Sequence, residues 1–438
     1  MAVISSEDTL KMKEAFSQDK KNILAQRASA TNGLLKAAED PFVIARNRNP
    51  YSTDLVSDEV TNQKHSGRCW MFAGLNVLRF HLEKKLNVEN FELSQNFLYF
   101  YDKLEKSNYF YENVIATADD SLDDRKTAML FEEPESDGGW WQYVVNLVKK
   151  YGVIPKNSMP ETANTENSDA MNELLNRKLR QDALKLRDMV RAGASGDDIE
   201  AVRAHMLEGV YSIVSVALGT PPESFRFQYQ DKDKKYHDEG VMTPKGFFDT
   251  FIGADMDDYV ALGSYPADRL QFDRHYSREL MGNMVGSPDP HWLNVTADDM
   301  KAAAVKQLQD GEPVWFGCDV GQSSDRKSGV MDTDLYDMAT LVGVDFTMDK
   351  RQRIMTRESA ATHAMTLAGV DVIDGKPVRW KVENSWGDEN GQKGYFVMTD
   401  PWFDEYTFEV VVNKKYLSED IAKLYETEPE VLPYYLPF

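Results

Sequence analysis

The feature that most constrains the fold is a change in hydrophobic pattern along the chain. In the first half, apolar residues recur at helical spacing, as in CWMFAGLNVLRFHLEKKL from Cys69 onward and WWQYVVNLVKKY at 140–151. The last third carries short apolar or β-branched runs separated by Gly, Asp and Asn, namely PVWFGCDVG, HAMTLAGVDVI, VRWKVENSW and GYFVMTD. Such runs are typical of strands. Helices first and strands last predict an α+β fold rather than alternating α/β.

Local composition divides the chain into five predicted units. Residues 5–20 predict a helix capped by Ser5 or Ser6, and a looser stretch follows to about residue 60. The charged stretch 168–217 predicts a helical insertion, and the alternating residues 225–240 a hairpin. The units are 1–60, an N-terminal helix and extended segment; 61–160, a helical domain; 161–240, the insertion and hairpin; 241–428, a continuation and β-rich domain; and 429–438, a C-terminal arm.

Charge and cysteine usage narrow the class of function. The net charge of −22, from 50 basic and 72 acidic side chains, repels phosphate backbones, and no long basic run offsets it. This argues against nucleic acid as a partner. We see no apolar run long enough for a bilayer and no signal stretch near the start, and the chain has only two cysteines. We therefore expect a cytoplasmic protein with no membrane partner.

Cys69 is the candidate nucleophile. It lies at a predicted helix start, where the helix dipole lowers a thiol pKa, and Gly67 allows the backbone to approach a substrate closely. The Cys69 N–H and the side-chain amide of Gln63 are candidate donors to an oxyanion. The alternative is an inert core cysteine, which is common in helices of this kind. This segment alone does not decide between the two interpretations.

His363 is the candidate base among seven histidines. It opens one strand-like run, and Asn384 ends the next, so paired strands would bring the two side chains together. An Asn that accepts the imidazole N–H fixes the orientation and tautomer of the ring. Trp386 would cover that hydrogen bond, although Asn384 and Trp386 could instead only build a turn before Gly387.

These stretches together resemble the papain-like cysteine peptidases. The matching motifs are QKHSGRCW, THAM and ENSWG, and SQNFLYFYDKLEKSNYFYENVI, DGGWWQYVVNLVKKYGVIPK, DDYVALGSYP and VWFGCDVG are similar to the branch of bleomycin hydrolase and bacterial aminopeptidase C. The resemblance covers nearly the whole chain. It implies a papain-like fold in which a helical left domain carries Cys69, a β-rich right domain carries His363 and Asn384, and a cleft separates them. The predicted helical insertion is an addition to this papain-like fold.

The resemblance also implies roles for residues and partners. Cys69 attacks the peptide carbonyl, His363 protonates the leaving amine, Asn384 orients His363, and Gln63 with the Cys69 N–H stabilises the oxyanion. Gly138 and Gly139 match a position where backbone pairs with the substrate chain. No cofactor or metal is needed. In this branch the insertion builds subunit contacts of a ring-shaped homohexamer, and Cys318 is expected to be a structural residue of a strand.

The C-terminal arm bears on where the peptide is cut. In aminopeptidases of this branch, the terminal carboxylate meets the α-amino group of the substrate, and the arm commonly ends in a Trp-Asp-Pro-Met-like segment with small residues after it. Here the chain ends EPEVLPYYLPF, with Tyr435 in place of the Trp and the bulky Phe438 as its last residue. A short arm would leave the groove open on both sides of the cut. The sequence therefore favours an oligo-endopeptidase, with a cysteine aminopeptidase as the alternative.

Two further classes stay open. A thiol acyltransferase or amidase would begin with the same attack and differ in the nucleophile that resolves the thioester. A non-enzymatic assembly protein would retain the fold without turnover. The complete set of Cys, His, Asn and Gln favours a peptidase acting on short peptides over both.

Overall fold

Helices crowd the first half of the chain and strands the last third, as the hydrophobic pattern predicts. The computed structural model describes residues 1–55 and 59–436. The helices of the first half are α1 (Ser6–Gln18), α2 (Lys20–Asn32), α3 (Leu34–Ala38), α4 (Pro41–Arg46), α5 (Cys69–Leu86), α6 (Gln95–Ala116), α7 (Arg125–Glu132), α8 (Trp141–Tyr151), α9 (Ala163–Glu166), α10 (Asp169–Arg191) and α11 (Gly196–Leu218). The later helices are α12 (Pro244–Phe247), α13 (Ala297–Gln309), α14 (Met338–Val342), α15 (Lys350–Thr356), α16 (Asp400–Tyr406) and α17 (Glu419–Tyr425).

The strands form one large mixed sheet and a separate hairpin. The hairpin is β2 (Phe225–Gln230) with β3 (Tyr236–Met242), as predicted. The sheet strands are β1 (Thr53–Asp54), β4 (Tyr259–Gly263), β5 (Arg274–Arg278), β6 (His291–Asn294), β7 (Val314–Cys318), β8 (Ser324–Asp325), β9 (Val330–Met331), β10 (His363–Ile373), β11 (Lys376–Glu383), β12 (Tyr395–Thr399), β13 (Thr407–Asn413) and β14 (Glu430–Leu432). In the described part of the chain their order is β14-β5-β6-β4-β13-β7-β10-β11-β12-β9-β8, and β1 pairs with β10.

The N-terminal region is more helical than the sequence predicts. α1 begins after Ser5, whose hydroxyl accepts from the N–H of Asp8 in a capping box, so the first helix is confirmed. The predicted extended segment that follows is wrong, because α2, α3 and α4 occupy much of it. Each break is itself a helix start: Asp19 caps α2, and Asp40 with Pro41 opens α4. The boundaries of the five units stay a prediction.

The insertion forms two long helices, α10 and α11, that pack on each other and on α6. Met206, Val210, Val214 and Leu218 are the buried residues of α11. Among the described residues, α11 alone has the length and composition that a membrane-crossing helix would need, with 22% of its most apolar window buried. The sequence analysis did not recognise this run. Length and composition are the only features that α11 shares with a membrane-crossing helix, and they are weak evidence for one.

The contact between α5 and the sheet positions the site. β10 lies between β7 and β11, and α5 packs across β10 and β7. The Trp315 indole N–H donates to the carbonyl of Trp70 at 3.1 Å, and the Thr366 hydroxyl donates to the carbonyl of Ala73 at 3.3 Å. These bonds hold the beginning of α5 against the beginning of β7 and the first half of β10.

Candidate active site

Cys69 is the first residue of α5 and the most accessible residue of its first turn. It is half-buried, whereas Trp70, Met71 and Phe72 are fully buried and anchor the helix. Burial raises the pKa of the Cys69 thiol, and hydrogen bonds from the backbone N–H groups of Ala364, Trp70 and Cys69 itself oppose that rise. The sulfur therefore lies among N–H donors that stabilise its anion more than its neutral form.

His363 is held by two neighbouring side chains. Its Nε2 lies 3.0 Å from Asn384 Oδ1, and because an amide oxygen only accepts, Nε2 carries the hydrogen and Nδ1 is free to accept a proton. The Trp386 ring stacks on the imidazole at 4.7 Å, and the Arg326 guanidinium lies over the same indole at 4.6 Å. Burial lowers the pKa of His363 to about 4. The charge of Arg326 also lowers this pKa, whereas the hydrogen bond to Asn384 raises it.

One cleft brings the predicted residues of both domains together. Its volume is about 430 Å³. Cys69, at the start of α5, lines one part of the cleft wall, and His363, at the start of β10, lines another. Asn384 and Trp386 are not in the lining and lie behind His363. The lining residues are Gln63, Gly67, Cys69, Ser136, Gly138, Gly139, Trp140, Tyr143, Trp315, Gly317, Ala361, Thr362, His363 and Ala364.

Gln63 borders the cleft and is fixed at both ends of its amide. Nε2 donates to the carbonyl of Ser66 at 2.7 Å, and Oε1 accepts from the Ser385 hydroxyl at 2.8 Å. A primary amide has two N–H hydrogens, so one remains beyond the bond to Ser66. The amide is therefore oriented by residues from both walls, and it can still donate to an oxyanion near Cys69.

The two predicted glycines border the cleft but differ in their surroundings. A Cβ at Gly139 would lie 2.5 Å from the Trp70 ring, so only glycine fits there without a shift. A Cβ at Gly138 would have its nearest neighbour, the Ser136 hydroxyl, at 3.9 Å. Gly138 is exposed and Gly139 half-exposed, which leaves backbone available to an extended peptide.

Two other sequence expectations concern Cys318 and the arm. Cys318 ends β7, is fully buried and pairs with His363 across the ladder, which fits the expected structural role. Phe438, the candidate specificity residue, lies outside the described residues. The described arm ends at Leu436, whose carbonyl accepts from Arg278 at 3.0 Å.

The sequence analysis missed the residues that support the Cys69 wall from behind. Asp137, directly before the glycine pair, accepts from Lys103 at 2.6 Å and from the Gly67 N–H at 3.0 Å. The only signal was its position in the DGGWW motif. In the described residues, no group of three or more His, Cys, Asp and Glu side chains is placed to hold a metal ion.

A mixed helix and sheet fold with one cleft lined by a thiol at a helix start and by a histidine that an asparagine holds defines a cysteine-type peptidase of papain-like fold. The comparison with known sequences agrees with this class. The chain belongs to the Peptidase C1-like family, which it matches over residues 3–438.

Named relatives are similar over nearly the whole chain. Aminopeptidase C of Streptococcus thermophilus is 43% identical over 433 residues, which cover 99% of this chain and 97% of the relative. Aminopeptidase G of Lactobacillus delbrueckii subsp. lactis is 44% identical, covering 96% and 95%. The crystal structure of PepW from Lactobacillus rhamnosis HN001 superposes with a TM-score of 0.98 at 45% identity, covering 100% of this chain and 98% of that one.

Proposed function

We propose that the chain hydrolyses peptides with Cys69 as nucleophile and His363 as proton carrier. His363 Nδ1 accepts the thiol proton, and sulfur bonds to the scissile carbonyl carbon. The imidazolium then gives this proton to the leaving amine as the C–N bond breaks, which leaves a thioester. Water hydrolyses the thioester: His363 takes one of its protons and returns it to the sulfur. The observation that carries this proposal is that both residues line one cleft while Asn384 fixes His363 Nε2.

The neighbouring residues have supporting roles in this proposal. Asn384 holds the tautomer in which Nδ1 can accept a proton, and Trp386 shields the hydrogen bond from water. Gln63 and the N–H of Cys69 stabilise the oxyanion of the tetrahedral intermediate. The backbone of Gly138 and Gly139 pairs with the substrate chain. No step requires a metal or cofactor.

The charge state of the pair follows from its burial. Burial raises the pKa of the Cys69 thiol and lowers that of His363 to about 4, so each group alone is neutral near pH 7. Proton transfer between them produces two opposite charges that stabilise each other in a medium of low dielectric. We propose that the reactive form is this thiolate–imidazolium pair, which the N-terminus of α5 and the Ala364 N–H also favour.

For the position of the cut, we propose aminopeptidase action on short peptides. The relatives named Aminopeptidase C and Aminopeptidase G support it. Two contacts hold the described part of the arm: β14 pairs with β5, and Tyr435 stacks under Arg125 of α7 at 4.4 Å. Leu130 of α7 and Gly138 line one cavity.

Oligo-endopeptidase action is the second candidate, and the sequence of the arm favours it. By the resemblance to the aminopeptidases, Tyr435 stands where their arm commonly carries a Trp. If the terminal carboxylate stays short of the substrate, nothing selects a free amino group and the groove can hold peptide on both sides of the cut.

Mass analysis of products separates the two modes. Short peptides of one sequence, with a free or an acetylated N-terminus, are incubated with wild type and Cys69→Ala. We expect stepwise removal of single residues from free peptides and no cleavage of acetylated ones. Internal cleavage of acetylated peptides would establish the endopeptidase, and no cleavage of either set by wild type would refute the peptidase.

The same assay addresses the acyltransferase and amidase alternatives. Peptide amides report amidase action as loss of ammonia, and an added amine competes with water for the thioester. We expect hydrolysis products to dominate at millimolar amine. Products joined to the amine in excess would favour a transferase.

We also propose a cytoplasmic homohexamer. α1 and α2 bury no residue of their own, and they expose Leu10, Met12 and Phe16 among other apolar side chains. Tyr211 and Val216 on α11 are exposed as well. Apolar surface of this extent is typical of subunit contacts. Light scattering should give six times the chain mass of 49.9 kDa, and a monomer would contradict the proposal.

A further inference from the structure

A cluster of charged side chains is buried directly behind the cleft. Asp102, Lys103, Lys106, Glu135 and Asp137 are all less than a tenth exposed. Lys103 pairs with Glu135 at 2.5 Å and with Asp137 at 2.6 Å, and Lys106 pairs with Asp102 at 2.8 Å. Burying five ionisable groups costs free energy even when they are paired, so stability alone does not explain this cluster.

Asp137 is the centre of this cluster because its carboxylate accepts five hydrogen bonds. They come from three separate parts of the chain: the loop before Cys69, the helix α6, and the start of the insertion. Five donors saturate the lone pairs of a carboxylate. The donors are the Gly67 N–H at 3.0 Å, the Tyr99 hydroxyl at 2.6 Å, Lys103 at 2.6 Å, the Ser168 hydroxyl at 2.5 Å and Asn172 at 2.8 Å.

The bond to Gly67 connects this cluster to the reacting residues. Gly67 lies two residues before Cys69, and a Cβ there would come within 2.7 Å of Asp137 Cβ, so the two loops touch. The main-chain carbonyl of Asp137 accepts from the Trp70 indole at 2.7 Å. Asp137 therefore holds the chain on both sides of Cys69.

The same cluster fixes the loop that faces the substrate. Lys106 donates to the carbonyl of Ser136 at 2.9 Å and to that of Gly138 at 2.7 Å. Both residues line the cleft. Burial alone would raise the pKa of Asp137, but the charge of Lys103 and the donated hydrogen bonds hold that pKa well below its ordinary value. Asp137 is thus ionised at neutral pH, and N–H and O–H donors are directed at its carboxylate.

We propose that Asp137 is a positioning residue for the reaction at Cys69: through Gly67, Ser168 and Lys103 it fixes the loop that presents the sulfur and the oxyanion donors to the substrate. The inference rests on the proposed peptidase function. It also gives the insertion a second role, because Ser168 and Asn172 precede and begin α10. Loss of the carboxylate should lower kcat, which depends on alignment in the transition state, more than it raises KM.

The test compares two isosteric substitutions of buried aspartates. Asp137→Asn replaces an acceptor that faces Gly67 and Ser168 with an N–H₂ donor. Asp182→Asn is the matched control, because Asp182 is 6% exposed, accepts from the Tyr111 hydroxyl at 2.5 Å and pairs with Lys178, within the insertion. We expect both to lower Tm, but only Asp137→Asn to lower kcat, by about 10²-fold, with KM within about threefold.

A readout independent of peptides accompanies the kinetics. We expect iodoacetamide to alkylate Cys69 at least about tenfold more slowly in Asp137→Asn than in Asp182→Asn, because the thiolate loses its alignment with backbone donors. Equal kcat and equal alkylation rates in the two folded variants would overturn the inference. A wild type without peptide turnover would refute the proposed function, and alkylation would still decide the role of Asp137.

Ser168→Ala covers the case in which Asp137→Asn does not fold. It removes one donor at 2.5 Å and leaves the buried charge in place. We expect kcat to fall about tenfold, as for a lost hydrogen bond to a charged group, at an unchanged KM. A kcat within twofold of wild type, with unchanged alkylation, would overturn the inference.

Discussion

The wall of the cleft that carries Cys69 is fixed by buried charge, whereas the wall that carries His363 is fixed by a strand ladder and stacked rings. Behind Cys69, Asp137 binds Lys103 and the Gly67 N–H. Behind His363, β10 pairs with β7 and β11, and Trp386 covers the imidazole. A loop needs directed bonds to keep one conformation, while a residue at a strand end inherits its position from the sheet. The backbone at Cys69 should therefore depend more on polar side chains behind it than the backbone at His363 does.

The largest expected effect removes the reacting group from either wall. Cys69→Ala and His363→Ala should each lower kcat/KM by on the order of 10⁴-fold or more, and the double variant should lose no more than either single one, because the two groups act as a unit. Tm should stay within a few degrees of wild type. Losses that multiply in the double variant would show that the residues act independently.

The next effect concerns the support of His363. Asn384→Ala removes the acceptor 3.0 Å from Nε2, so the ring can rotate or change tautomer. We expect kcat to fall by about 10²-fold, as general acid–base catalysis contributes 10² to 10⁴. Trp386→Phe preserves an aromatic cover and is the control, with a loss of less than tenfold. An Asn384→Ala enzyme as active as Trp386→Phe would contradict the role of Asn384.

A smaller effect compares the two glycines of the Cys69 wall. Gly139→Ala would force a methyl group to within 2.5 Å of the Trp70 ring, whereas Gly138→Ala has 3.9 Å to its nearest neighbour. Overpacking of this kind costs about 1–3 kcal/mol, so urea unfolding should show this loss for Gly139→Ala. Gly138→Ala should unfold like wild type. Equal stability of the two variants would mean that Trp70 moves aside easily.

The last comparison concerns the pH dependence of stability and uses two buried carboxylates, Glu409 and Asp137. Glu409 of β13 pairs with Gly317 and is 5% exposed, and in residues 1–55 and 59–436 no Lys or Arg forms an ion pair with it. Burial raises the pKa of Glu409 to about 8 from an ordinary 4.5. The folded form thus holds this proton more tightly. The stability that this tighter proton binding contributes is fully present below about pH 4.5 and is lost as the pH rises to about 8.

Glu409→Gln should remove that loss. Relative to wild type, the variant should gain up to about 1.4 kcal/mol per pH unit between pH 5 and 8. Asp137 has the opposite sign: its pKa is lowered, so its contribution is present above about pH 4 and is lost in acid. The deficit of Asp137→Asn should therefore shrink below pH 4. Parallel pH profiles for the two variants, from urea unfolding, would show that the two carboxylates do not differ in this way.

Sequence reasoning found the residues that local motifs reveal and missed those that long-range contacts define. The start of α5 at Cys69 and the pairing of β10 with β11 follow from hydrophobic pattern and turn residues, so Cys69, His363 and Asn384 were placed correctly in the fold. Lys103 and Lys106 look like ordinary charged residues of a helix in the sequence. Only folding brings Lys103 to Asp137 and Lys106 to the carbonyls of Ser136 and Gly138, because these partners lie thirty or more residues away.

The prediction of an extended segment in the N-terminal region was wrong for a different reason. Asn, Thr and Pro lowered the apparent helix propensity of residues 20–46, but Asn22 and Thr31 lie inside α2 and Pro41 opens α4, where proline is favoured. α2 buries no side chain, so no amphipathic pattern toward this chain's own core was available to reveal it.

The central claim, that Cys69 reacts as a thiolate paired with His363, is tested most directly by the rate at which iodoacetamide labels Cys69 as a function of pH. The chain has two cysteines and Cys318 is fully buried, so labelling reports on Cys69. The account predicts that wild type is labelled rapidly already at pH 6 and that His363→Ala is labelled about 10²-fold more slowly there, approaching wild type only in alkali. Identical rates and identical pH profiles in the two proteins would contradict it.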